Sequence, residues 1–333
     1  MHIPDNYLSP STCGVLAAAM VPVWAVSVDK VRKKLPKEKL PEIGIFAAIS
    51  FLLMMFNVPL PGGTTGHAVG GTLIAVVLGP WAACISMTMT LLVQALLFGD
   101  GGILAFGANC FNMAFVLPFV GYGVFRLIKD HTKGRTGEYV AIVLGSYLGM
   151  NAAALFAAIE FGIQPALFHD AAGQALYCPY PLSVSIPAMM IPHLAVAGVV
   201  EALLTALIYT FIKNVSPDMI EANAAPKSRG IWGLLAALIV LTPLGLLATG
   251  EAWGEWGAED ISEVANGGNT LGYTPKGMSD GFDFHALLPD YSLEGLPEVA
   301  GYLLSAVIGV ALLVIVFRLI GSGTKKEKNP TAE

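Results

Sequence analysis

Nine apolar stretches of helical character, at 11–28, 43–58, 68–79, 81–98, 108–128, 138–163, 183–212, 231–250 and 298–320, alternate with polar connections along the chain. A helix of about 20 residues crosses the hydrocarbon core of a bilayer, so this pattern predicts an all-α integral membrane protein. The third stretch is the awkward one, because its residues 68–79 rise only about 18 Å as a helix. Treating 68–98 as one span would remove the difficulty, and the distribution of charge decides against it.

Lys30, Arg32, Lys33, Lys34, Lys37 and Lys39 fill the first connection, and Arg126, Lys129, Lys133 and Arg135 flank a later one. With nine passes both clusters share a face with Lys213, Lys227, Arg229, Arg318, Lys325, Lys326 and Lys328. Of the 18 Lys and Arg residues only Lys276 then falls opposite. The positive-inside rule makes the shared face cytoplasmic, with Met1 outside and the C-terminus inside a multi-pass cell-membrane protein. A single pass over 68–98 would send the later clusters to the wrong side. The chain is therefore expected to break at Gly79-Pro80 and to hold a short third helix, tilted or buried in protein.

Composition agrees. Of 333 residues 55% are hydrophobic and 13% charged, against roughly 25% charged in soluble domains. Cys13, Cys84, Cys110 and Cys178 show no close pairing, and the first three, in or at apolar stretches, are read as small hydrophobes. Asp5 and Asn6, rather than a basic segment, precede the first apolar stretch, so the N-terminal arm is expected to stay on the mature protein. Composition shifts after Ile212, dividing the chain into a seven-span body at 1–213, a cytoplasmic linker at 214–230 and a two-span tail at 231–333. The tail contains an acidic outer connection at 251–297, read as a solvated loop with at most a loose attraction for cations, and ends in a charged, disordered stretch at 321–333. The connection at 164–181, with His169, Asp170 and Cys178, shows no site spacing. No G-x-x-x-x-G-K-[ST] nucleotide loop occurs, so any use of ATP is expected to come from other chains. Nothing points to nucleic acid as a partner.

The chemistry gathers at Met1-His2-Ile3-Pro4-Asp5. At a free N-terminus, the Met1 amine, the His2 amide nitrogen and the His2 Nδ1 can close a five-membered and a six-membered ring on one ion. Such a nitrogen set suits a square-planar metal, Ni(II) or Cu(II), and because the amide must lose its proton, binding should be steeply pH-dependent. Taken alone, the same residues also read as a start codon followed by an incidental histidine. A Gly- and Pro-rich connection, 59–67, delivers His67 to the same face, where it is a natural fourth donor. Asp5, Thr64, Thr65 and Asn109 are the nearest polar candidates to orient His67. His193 and Glu201 lie within the seventh stretch. An intramembrane carboxylate is a functional candidate, here for proton-coupled transport, unless Gln94, Asn112 or Asn151 binds it internally.

Four motifs in order then carry a resemblance over residues 1–213. They are Met1-His2-Ile3-Pro4-Asp5, the 62–71 loop around His67, the 94–102 run with Gly107-Ala108-Asn109, and Pro192-His193-Leu194-Ala195. Together they resemble the substrate-binding membrane subunit of energy-coupling-factor nickel/cobalt transporters, whose bundle is plugged by its N-terminal segment. The resemblance implies Met1, His2 and His67 as metal ligands. Asn6 stands where that family has glycine, and asparagine also tolerates left-handed backbone. The tail resembles the small accessory subunit of the same transporters, with Pro289-Asp290-Tyr291-Ser292-Leu293-Glu294 in place of Pro-Asp-Gly-Leu-Glu; this tilts the expectation toward nickel over cobalt. Implied partners are a transmembrane coupling subunit and two cytoplasmic ATPases. The metal is transported substrate, no permanent cofactor is expected, and the chain itself is no enzyme. A proton-driven carrier using Glu201 and His193, a metalloenzyme and a scaffold with an incidental His2 are the competing readings.

Overall fold

The computed structural model describes residues 1–220, 229–266 and 269–323. Linker residues 221–228 and the charged terminus from 324 onward, both singled out in the sequence, lie outside the described residues. Among the described residues the architecture is all-α, apart from two short antiparallel strand pairs.

Helix α1 (Pro10–Lys34) begins where the Ser9 hydroxyl accepts the Thr12 N–H at 3.1 Å. Pro10 takes the first helical position, where a missing N–H costs nothing. Next come α2 (Leu40–Met54), α3 (Gly71–Leu78) and α4 (Pro80–Val93). Gly79, at φ 89°, separates α3 from α4 at the break expected from charge. The chain continues through α5 (Phe106–Asn109), α6 (Leu117–His131), α7 (Gly134–Gly162), α8 (Gln164–Leu167), α9 (Leu182–Pro192) and α10 (Gly198–Val215). The tail supplies α11 (Arg229–Leu241), α12 (Lys276–Ser279) and α13 (Glu298–Gly323). Three π-helical segments interrupt the bundle: Gln94–Phe98 after α4, Cys110–Val116 between α5 and α6, and His193–Ala197 between α9 and α10. Among the described residues, seven of the resulting helices are long and apolar enough to cross a membrane. The shorter α2 and α3 complete the nine apolar segments read from the sequence.

Small residues set the closest packing. Along α7, Gly137, Ala141, Gly145, Gly149, Ala153 and Ala157 recur every fourth position and are all buried. A Cβ on Gly145 would stand 2.7 Å from the Gly121 carbonyl, and one on Gly149 2.7 Å from that of Leu117. The backbones of α6 and α7 therefore meet directly, as small-residue stripes allow in membranes. Helix α2 is apolar all round, and every residue from Glu42 to Met54 is buried. On one side Ser86 and Thr90 of α4 donate to the Ile43 and Ala47 carbonyls at 3.0 Å each. On the other, α13 lies so close that a Cβ on Gly44 would stand 2.8 Å from Phe317 Cβ. The tail thus packs onto the body along α2.

The 251–297 connection differs from the solvated loop expected. Ile261, Met278 and Tyr291 are buried, and Trp253 packs at 5.9 Å from Phe161 and 5.4 Å from Tyr180. A few aromatic and aliphatic residues among many acids suffice, because the end of the bundle offers them an apolar surface to cover. The segment closes over the end that holds the N-terminus.

Candidate metal centre

Residues 1–9 form no helix or strand; they thread into the bundle end, and their backbone polarity is met by side chains. Asn109, at the end of α5, brackets Ile3: its Oδ1 accepts the Ile3 N–H at 2.7 Å and its Nδ2 donates to the Ile3 carbonyl at 3.0 Å. The Gly102 N–H also donates to that carbonyl, at 2.8 Å. Asp5 accepts the N–H groups of Ile103 and Leu104 at 3.0 and 2.7 Å, ahead of α5. A Cβ on Gly102 would collide with Asp5, so glycine is required where loop and arm touch. Asn6 takes the left-handed conformation at φ 68°, and its side chain exchanges two hydrogen bonds with the Phe282 backbone, at 2.8 and 2.9 Å. Met1, His2, Ile3, Tyr7 and Leu8 are buried as a result.

His67 arrives from the opposite side. Strands β1 (Val58–Leu60) and β2 (Thr64–Gly66) form an antiparallel hairpin turned through Gly62 and Gly63, both at positive φ. The hairpin places His67 between β2 and the start of α3. The imidazoles of His2 and His67 lie with centroids 5.1 Å apart and planes inclined by 40°. One ion bound to a nitrogen of each, at about 2.0–2.1 Å, fits between rings at this separation.

Hydrogen bonding fixes which nitrogens are free. His67 Nδ1 faces the Ala68 carbonyl at 3.1 Å; a carbonyl only accepts, so Nδ1 carries the proton and Nε2 the lone pair. The Gln94 amide nitrogen donates to Asp100 Oδ2 at 3.1 Å and to the Tyr291 hydroxyl at 3.0 Å. Its Oε1 therefore faces His2 Nε2, at 3.3 Å, and that nitrogen carries the proton. His2 Nδ1 is left as a buried acceptor without a hydrogen bond, 3.1 Å from Asp100 Oδ1. Two acceptors facing each other at that distance fit a cation bound at Nδ1. Burial, and then the positive amino end, lowers His2 to about 4. Burial, then His2 and the amino end, lowers His67 to about 3. Both rings are neutral at pH 7, the form that binds metal, so the His2–Asp100 approach is no ion pair there.

Among the described residues, no hydrogen bond engages the His2 amide N–H, and no three His, Cys, Asp or Glu side chains converge as a metal site. What converges is two imidazoles and the amino end. The Met1 ammonium pairs with Glu255 at 3.0 Å. A cavity lined by His2, His67, Asp100, Glu251, Glu255 and Asp290 opens between arm, hairpin and tail. Burial first, then the charges of Asp260, Glu255 and Asp290, hold Glu251 above the usual carboxylate range.

The other residues singled out in the sequence divide. Asp5 and Asn109 hold the arm, while His67 is oriented by donating its Nδ1–H to the Ala68 carbonyl. Thr65 Oγ1 donates to the Gly250 carbonyl at 3.3 Å, and Thr64 pairs with Leu60 in the hairpin. Glu201, in α10, accepts the Val69 N–H at 2.7 Å and the Gly70 N–H at 3.0 Å, so its partner is loop backbone two and three residues beyond His67. Gln94, Asn112 and Asn151 are not its partners. His193 Nδ1 donates to the Met189 carbonyl at 2.7 Å, within its own helix. Glu255, Tyr291 and Asp100 are the site residues to which sequence reasoning gave no role, and Gln94 was read there only as a candidate partner of Glu201. Gln94 and Asp100 lay within a quoted motif and Tyr291 within the tail signature; Glu255 carried no signal.

Residues 2–219 match the family described as the cobalt uptake substrate-specific transmembrane region, and residues 227–326 match the PDGLE domain. The probable fused nickel transport protein LarMN of Lactiplantibacillus plantarum is 52% identical, over 96% of this chain and 97% of its own. The fused nickel transport protein NikMN of Rhodobacter capsulatus is 48% identical, over 94% and 95%. A crystal structure of a truncated transition metal transporter superposes with a TM-score of 0.61 at 56% identity, covering 64% of this chain and 99% of that one.

Proposed function

The chain belongs to the family of cobalt uptake substrate-specific transmembrane regions, with a PDGLE domain behind that region, and from this premise we propose that it captures one nickel ion outside the cell, cobalt being the second choice, and hands it across the membrane. The observation that carries the reading is the meeting of His2 and His67 beside the amino end, with Nδ1 of one ring and Nε2 of the other left as lone pairs. The donors are the Met1 amine, the His2 amide nitrogen, His2 Nδ1 and His67 Nε2.

Four such nitrogens impose a strong planar field, from which d⁸ Ni(II) gains most. Cu(II) binds such sites more tightly by general affinity order, so discrimination against it rests on availability or delivery. Asp100 and Glu255 supply negative charge beside the cation. The cytoplasmic face is the one carrying the basic clusters, which leaves the arm and its cavity outside. Energy comes from partners, a transmembrane coupling subunit and two cytoplasmic ATPases, since the sequence holds no phosphate-binding loop. Disturbing the arm lets the His2 amide recover its proton, which breaks the planar set and releases the ion.

X-ray absorption of nickel bound to protein with a native N-terminus tests this reading. The expected result is one ion per chain with four nitrogen ligands, lost in His2→Ala and in His67→Ala. Unchanged stoichiometry in both variants would overturn it. Uptake by vesicles holding this chain alone would instead favour the proton-driven alternative.

A further inference from the structure

The tail reaches the centre through one aromatic residue held in an unfavourable backbone. Asp290 and Tyr291 are consecutive residues with side chains at φ 53° and 58°. Such conformations persist only where surrounding contacts impose them. At Tyr291 the contacts are specific. Its ring stacks on Phe98 at 4.8 Å and 21°, with Tyr302 edge-on at 5.6 Å. Its carbonyl accepts the Ser305 hydroxyl at 2.9 Å, and just before it the Leu288 N–H donates to the Leu97 carbonyl at 2.7 Å. The buried hydroxyl thus lands between two polar groups of the body, accepting from Gln94 Nε2 at 3.0 Å and donating to the Asp100 carboxylate. In the tail signature, Tyr291-Ser292 stands where glycine does, and glycine could supply no hydroxyl.

We propose that Tyr291 is a positioning residue for the metal centre: its hydroxyl holds the Gln94 amide in the orientation that keeps the His2 Nδ1 lone pair free. This rests on the reading of Met1, His2 and His67 as donors. A flipped amide would turn its NH₂ toward His2 Nε2. The ring proton would then move to Nδ1, beside Asp100 Oδ1 at 3.1 Å. That tautomer leaves no lone pair at Nδ1 and cannot chelate through it. Tyr291 and Asp100 together take both amide hydrogens and so select the other one. Removing partners that orient a metal-binding histidine costs about 10- to 100-fold in affinity, and losing one of two places Tyr291 at the lower end.

The test uses the full chain with a native N-terminus. Nickel is titrated against a competing chelator in wild type, Tyr291→Phe, Gln94→Met and the double variant. ¹⁵N shifts of labelled histidine report the His2 tautomer in metal-free protein, assigned by their loss in His2→Ala. Tyr291→Phe keeps the ring on Phe98, and should bind one ion about tenfold more weakly with the Nδ1–H tautomer of His2 newly populated. The double variant should bind no more weakly than Gln94→Met, because Tyr291 acts through Gln94. Wild-type affinity with an unchanged tautomer in Tyr291→Phe would overturn the proposal, as would additive losses in the double variant. Should Tyr291→Phe fail to fold, Gln94→Met decides: an undisturbed Nε2–H tautomer there overturns it. If His2→Ala binds like wild type, the donor reading fails, while the tautomer measurements still report on Tyr291.

Discussion

Replacing Asn109 by alanine should loosen the arm by an amount the geometry bounds. The side chain makes two buried hydrogen bonds to Ile3, at 2.7 and 3.0 Å. The Ile3 carbonyl would keep the Gly102 N–H at 2.8 Å, whereas the Ile3 N–H would lose its acceptor. Two net hydrogen bonds and one buried orphan donor together amount to about 2–4 kcal/mol. At about 1.4 kcal/mol per decade, the undocked arm becomes roughly 30- to 700-fold more populated. Amide hydrogen exchange of metal-free protein reads this directly: Ile3 and its neighbours should exchange faster by that factor, with α7 unchanged. Saturating nickel should restore protection, since an ion that binds only the docked arm pulls it back. Affinity itself falls only as far as undocking competes in the free protein, so exchange is the sharper measurement. Unaltered exchange at Ile3 would mean that Asn109 does not hold the arm, and the threading described here would be wrong.

His2 and His67 have folded values of about 4 and 3 against an ordinary 6.5, so between pH 6.5 and about 4 the undocked arm binds more protons than the docked one. Stability of the metal-free centre should therefore be complete above pH 6.5 and decline as the pH falls toward 4, measured by arm exchange at pH 7 and pH 5; a pH-independent opening equilibrium would refute it. Acetylating the Met1 amine should abolish nickel binding by removing one donor, and because it also removes the charge that pairs with Glu255, arm exchange in metal-free protein should speed up. Glu201→Gln should keep one ion per chain but release it faster, because one amide oxygen replaces a carboxylate that accepts two N–H groups, a loss of about 1.5–3 kcal/mol in holding the loop beyond His67; an unchanged off-rate by stopped flow would argue against that role. Gly149→Ala should lower stability by about 1–3 kcal/mol through overpacking against the Leu117 carbonyl, seen as a lower melting temperature in detergent.

The bundle was legible because a membrane leaves few solutions. Apolar runs mark helices. The break expected at Gly79-Pro80 is present, although Gly71–Leu78, at roughly 12 Å, is too short to span. Helices of this length survive only inside protein, and Gly71–Ala75 are buried. What hydropathy could not reveal was the cover over the bundle end. The 251–297 segment is mostly acid and glycine, and its anchors Trp253, Ile261 and Tyr291 are too scattered to form a period. Their burial depends on Phe161, Tyr180 and Phe98 being in reach, which is a property of the fold.

The centre divides along the same line. Covalent proximity makes the proposed Met1–His2 chelate readable from two residues, and a Gly-rich loop brings His67 within consideration. The groups that set the state of those donors come from far along the chain: Glu255 meets Met1 across 254 positions and Tyr291 meets Asp100 across 191. No local rule predicts such pairings, yet they leave a local trace. A tyrosine replacing glycine in a left-handed position sacrifices backbone freedom, and a sequence keeps such a conflict only when the side chain returns something elsewhere. Here the return is a hydroxyl on the network that orients His2. The same reasoning explains why Asn6, also standing where glycine would be easier, binds the Phe282 backbone twice: at both positions the side chain ties the body to its tail. Departures from glycine at positive φ are thus the places where a single sequence points to the joint between its two modules.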